Sequence, residues 1–131
     1  MITVKNLTKK RLIARRVRMA KNFLERMRGL LGTKTLDKDE GLWIPGCQGV
    51  HTFGMGYSLD VVYLDDTMTV IGLALELKPN LAGPIFWRAK SVLEFPAGTV
   101  GESGIQIGDK LLLEKVGDEK KLTGVTRQCL S

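Results

Sequence analysis

At 131 residues, 44% hydrophobic and 26% charged, with 4 prolines, the chain has the size and composition of one globular domain, which excludes wholesale disorder and a multidomain enzyme. Two cysteines and a single histidine exclude a disulfide framework and a His-rich metal cage, so no metal and no cofactor are expected. The net charge of +6 is gathered at one end: ten basic residues and one acid precede Gly29, and ten basic residues and thirteen acids follow.

Residues 2–7 and 12–17 are short aliphatic and β-branched segments around Thr8-Lys9-Lys10-Arg11, the pattern of a hairpin. The period then changes. Phe23, Leu24, Met27, Leu30 and Leu31 form one apolar stripe of an amphipathic helix, with Asn22 placed to cap it and Gly32 to end it. Residues 41–56 carry five glycines and one proline among Trp43, Cys47, His51, Phe53 and Met55, which predicts an irregular, ligand-sized loop around extended pieces. Residues 61–64 and 68–77 read as a hairpin about the turn Asp65-Asp66-Thr67, its first strand well buried. A second loop, 78–88, is punctuated by Pro79, Gly83 and Pro84 and offers Phe86-Trp87 as an apolar flap. Residues 90–95 form a strand that Pro96 ends, Ile105 and Ile107 alternate toward Gly108-Asp109, and residues 111–116 form the last strong strand. The core then spans about residues 2–116, and the tail, 117–131, is loosely attached. Many short strands against one good helix predict a mainly β fold: a small antiparallel sandwich or partly closed barrel with the amphipathic helix covering an end. The chain has no apolar run of about eighteen residues that would span a bilayer, and its opening residues do not form a secretory signal; a cytoplasmic protein is expected.

Four motifs come in a recognisable order: Arg26-Met27-Arg28-Gly29-Leu30-Leu31-Gly32; Val50-His51-Thr52-Phe53-Gly54-Met55 leading to Leu59-Asp60-Val61-Val62-Tyr63-Leu64-Asp65; Val92-Leu93-Glu94-Phe95-Pro96-Ala97-Gly98; and Ile105-Gln106-Ile107-Gly108-Asp109. Together they resemble the small bacterial and archaeal proteins grouped as domain of unknown function 192, over about residues 14–114. The resemblance implies a compact, mainly β fold and brings no established activity. The chain departs from the family pattern at Gly56 and Ser58, where a basic residue and a proline are common, and at Asp65-Asp66-Thr67, where the family turn commonly carries glycine.

The residues offer three kinds of function. The leading expectation is a binding module with a pocket between residues 41–60 and 78–88: His51, Thr52 and Asp60 orient a small polar ligand, Met55, Trp43 and Trp87 supply apolar walls, and Glu94 supports them from a neighbouring strand. The enzyme alternative is a small hydrolase or lyase with His51 as general base oriented by Asp60. The third is an interaction with nucleic acid or another polyanion through Lys9, Lys10, Arg11, Arg15, Arg16 and Arg18, although no aromatic residue interleaves them. Cys47 and His51 invite a nucleophile–base pair or a zinc site completed by Asp60 or Asp65. In an extended strand, however, residues four apart lie roughly 13 Å from each other, and the other cysteine, Cys129, falls in the tail. Asp65-Asp66 reads as a solvated turn, and the glycine-rich stretch 98–104 as a loop around a short helical turn, since it lacks the order of a phosphate-binding loop.

Overall fold

Ile2, Val4 and Asn6 are buried between less buried neighbours, the alternation of a strand with one face on a core, and define β1 (Ile2–Asn6). The chain returns through Lys10, which takes a positive φ of 55°, into β2 (Arg11–Met19), antiparallel to β1. β2 carries an extra residue between Ala14 and Val17 and another between Leu12 and Ala14, so both Arg15 and Arg16 are exposed. A computed structural model describes residues 1–20, 36–52 and 56–116. The remaining elements are β3 (Glu40–Pro45), β4 (Leu59–Leu64), β5 (Val70–Leu77), β6 (Ser91–Pro96), the one-turn helix α1 (Thr99–Ser103) and β7 (Leu111–Lys115). The helix expected over 23–31, Met55, Cys129 and the tail lie outside the described residues.

The seven strands form one sheet in the order β5-β4-β6-β3-β2-β1-β7, and its two outermost strands approach each other at one end. There Thr69 bridges Lys110, Val70 N–H donates to Asp109 O at 2.8 Å, and Leu111 N–H donates to Met68 O at 2.9 Å. The sheet is thus a half-barrel joined along one rim, the partly closed barrel expected. All neighbours are antiparallel except β2 and β3, which run parallel, so the sheet is mixed. β3 itself occupies part of the stretch that reads as loop. Its Gly41 is there for close approach: a Cβ would lie 2.8 Å from both Glu94 O and the Phe95 ring. Ile105 and Ile107, whose alternation suggested an extended segment, sit instead around a turn, Ile105 buried and Ile107 exposed.

Two apolar clusters use the two faces of the sheet. Inside the half-barrel, Val4, Val17, Val62, Leu64, Leu93 and Phe95 pack with Leu111 and with Val100 of α1. On the outer face, Leu42, Ile44, Val61, Tyr63 and Val92 pack with Cys47, Val50, Ala89 and Phe86. The outer cluster is roofed by the two loops, which meet as an irregular ribbon. Phe86 N–H donates to Gln48 O, Gly83 N–H to Val50 O, Thr52 N–H to Leu81 O and Asn80 N–H to Thr52 O, all within 2.8–3.0 Å. Gly72 is needed under this roof, because a Cβ there would come 2.5 Å from the Phe86 ring. No helix among the described residues is long and apolar enough to cross a membrane.

Candidate functional site

Asp60 is buried on β4 beside Phe95, on the face of Val62 and Leu64. The carboxylate is filled by backbone amides. Oδ1 accepts from Glu76 N at 2.9 Å, and Oδ2 accepts from Gly98 N and Val100 N, both at 3.0 Å. Each of these donors lacks a ladder partner for a local reason. Glu76 sits at positive φ (50°) where β5 carries an extra residue opposite β4, and Gly98 and Val100 begin α1, whose cap residue has no side chain. Asp60 therefore caps α1 and closes the β5 bulge at once.

His51 lies instead in the ribbon, bridged to Ala82 and half-buried. Its neighbour Thr52 is buried. The Thr52 Oγ1 hydroxyl donates to Lys78 O at 2.6 Å and accepts from Leu81 N at 3.0 Å, so it fastens one loop to the other. None of Asp60's hydrogen bonds reaches His51. Trp43, paired with Leu93 on β3, packs against the interior cluster, on the opposite face from Leu42, Ile44 and the ribbon. Glu94 points away from Leu93 and Phe95, as expected. It is fully buried on the outer face between Leu42 and Val61. The structure thus sets His51, Thr52 and Glu94 to the outer side and Asp60 and Trp43 to the inner.

Cys47 is fully buried, and its Sγ donates to Gly49 O at 2.9 Å. Next to it the Tyr63 hydroxyl donates to Pro84 O at 2.8 Å. Burial first, then the adjoining Cys47 and Glu94, pushes that hydroxyl well above its ordinary pKa. The thiol is sealed from solvent, which is the setting of a packed cysteine rather than of a nucleophile. Among the described residues no three of His, Cys, Asp and Glu gather where they could hold a metal ion.

Trp87, the remaining nominated wall, stands apart from the rest. Its backbone carbonyl is held by Gln48 Nε2 at 2.7 Å while its side chain is left 70% exposed. It borders an open groove of about 540 Å³ lined by Asp65, Ile71, Ile85, Phe86 and Arg88. Asp65 is occupied by the turn expected of it, accepting from Thr67 N at 2.9 Å, Thr69 N at 3.0 Å and Thr67 Oγ1 at 2.8 Å. Burial alone would raise its carboxyl, but these hydrogen bonds and the Arg88 charge hold it below the usual carboxylate range. The sequence reading named Trp87 as an apolar wall and did not name Arg88, which follows it directly in the chain.

Among the described residues, acids pair with two of the six basic residues nominated for a polyanion. Lys9 Nζ meets Asp109 at 2.5 Å, and Arg15 lies 3.9 Å from Asp39. Arg11 donates to Glu102 O at 3.3 Å, and Lys10, Arg16 and Arg18 are exposed.

The order of motifs in the sequence agrees with a match over residues 4–113 to DUF192, described as uncharacterised. The chain belongs to the DUF192 family. A curated relative, a UPF0127 protein of Thermococcus sibiricus, is 30% identical over 117 residues, covering 81% of this chain and 71% of its own. Two solved structures are similar in fold to this chain at 22% identity. One, a protein of unknown function from Novosphingobium aromaticivorans, matches with a TM-score of 0.69, covering 85% of this chain and 82% of its own. The other, from Sinorhizobium meliloti and provisionally described as a transcription regulator, matches with a TM-score of 0.68, covering 86% of this chain and 91% of its own.

Proposed function

We propose that this DUF192 protein is a binding module, and that its site is the groove at Trp87 and Arg88 rather than a pocket around His51 and Asp60. The observation that carries this is the 70% exposed Trp87 side chain on a backbone fastened by Gln48. Holding a large aromatic ring in water forgoes its burial, and such rings serve where a partner later covers them. Beside it, Ile71, Ile85 and Phe86 give an apolar wall and Arg88 a cation. The ligand class is a small, flat anion, stacked on the indole with its charge toward the guanidinium. Asp65 and Thr52 hold the walls by binding backbone, and Asp60 fastens α1 from the inner face. The general-base alternative lacks support on one specific point: the carboxylate that would orient His51 is already occupied by three amides.

The test uses anilinonaphthalene sulfonate, an aromatic anion whose fluorescence rises on binding. The protein should bind it at one site, and Trp87→Ala and Arg88→Gln should each weaken binding about tenfold, equivalent to about 1.4 kcal/mol. Equal affinity in both variants and the parent protein would place the site elsewhere and sink the proposal.

A further inference from the structure

The rim on which the half-barrel closes carries an unusual mixture of side chains. The turn leading out of β1 and the turn before β7 are stitched together. Leu7 N–H donates to Lys110 O at 2.8 Å, Lys110 N–H donates to Thr8 Oγ1 at 2.9 Å, and Asn6 Nδ2 donates to Asp109 Oδ2 at 2.8 Å. From this rigid seam Leu7 (46% exposed), Leu12 (39%) and Ile107 (65%) reach solvent. Lys10, Arg11 and Lys110 are exposed around them. Leu7, Leu12, Lys10 and Arg11 line one groove of about 390 Å³. The nearby acid Asp109 is buried and occupied by Lys9 and Asn6, so it does not offset the exposed cations.

We propose that this rim docks the protein on an anionic lipid surface, with the three aliphatic side chains entering the interface and the three cations meeting headgroup phosphates. Charge complementarity selects an anionic partner, and exposed aliphatics among the cations select a bilayer over a nucleic acid. Recognition of a duplex backbone rests on cations and hydrogen-bond donors and gains nothing from aliphatic side chains at the phosphates, and single strands call for aromatic platforms, of which none stands among these residues. The docking is peripheral and independent of the Trp87 groove.

The experiment is co-sedimentation with vesicles of pure phosphatidylcholine and of equimolar phosphatidylcholine and phosphatidylglycerol, with duplex DNA as a separate ligand. The protein should partition onto the phosphatidylglycerol vesicles alone, and less as salt is added. Lys10→Gln with Arg11→Gln should weaken partition about 25-fold, at about fivefold for each cation removed. Leu7→Ser with Leu12→Ser, and Ile107→Ser separately, should also weaken it while leaving any affinity for DNA unchanged. Absence of binding to the anionic vesicles would overturn the proposal. So would vesicle binding that the aliphatic variants retain in full and DNA displaces, which would mark the rim as a nucleic-acid surface.

Discussion

Asp60 supports a quantitative forecast, because a single carboxylate serves three backbone amides at once. Turned to its best orientation, asparagine would keep its oxygen toward Gly98 and Val100 and set its own amide against Glu76 N–H, donor facing donor. One charge-assisted bond is lost outright and two are weakened to neutral ones; at about 1.5–3 kcal/mol for such a bond, Asp60→Asn should cost about 3 kcal/mol. Asp60→Ala orphans all three donors and should cost about 5 kcal/mol. With an unfolding entropy of about 2.1 cal/mol/K per residue, the chain loses about 3.6 °C of Tm for each kcal/mol, so the two variants should melt about 11 °C and about 18 °C below the parent. Urea unfolding followed by circular dichroism measures the free energies directly. The resonances of the single imidazole should stay where they are in folded Asp60→Asn. A variant as stable as the parent, with His51 resonances displaced, would show that Asp60 orients the histidine and would refute the capping role.

Two further forecasts rest on packing and on charge. Gly72→Ala places a methyl 2.5 Å from the Phe86 ring and should destabilise by about 1–3 kcal/mol, with much of that recovered in the double variant carrying Phe86→Leu; simple additivity would mean that the ring does not press on Gly72. Burial alone would raise the Asp109 carboxyl, but hydrogen bonds from Lys9, Asn6 and the Gln106 amide hold it below the usual carboxylate range. Its contribution is therefore complete above the unfolded-state pKa near 3.9 and lost as pH falls through the lower folded value, so Asp109→Asn should flatten the acid limb of the stability profile. An unchanged acid limb in that variant would remove Asp109 from the account.

Much of the fold can be read along the chain, because the decisive signals are local. The β1–β2 and β4–β5 hairpins announce themselves by short aliphatic runs about polar turns, and the β4 run is buried along its whole length. β3 is illegible for the opposite reason. Its Gly41 and Pro45 carry loop chemistry, and only the distant Glu94 carbonyl and Phe95 ring explain the glycine. The parallel pairing of β2 with β3 and the role of Asp60, which reaches Gly98 and Val100 about forty positions on, likewise depend on partners far away in sequence. Alternation correctly turns Glu94 away from Leu93 and Phe95, yet it cannot tell that Trp43 and Asp60 share the opposite face from the ribbon. His51 and Asp60 look like one site because they are near each other in the chain, whereas a sheet sends neighbouring segments to different sides.

The strand order also carries a consequence for how the molecule is made. β1 lies between β2 and β7, so the earliest of the seven strands in the chain waits with one edge uncovered until the latest of the seven is synthesised. Throughout that interval Ile2 and Val4 lack their cover from Leu111 and Leu113 on the final strand. Vectorial synthesis thus builds an open sheet first and seals the seam between Thr69 and Lys110 last. A ribosome stalled before residue 111 would present an unsatisfied strand edge of β1 to its neighbours.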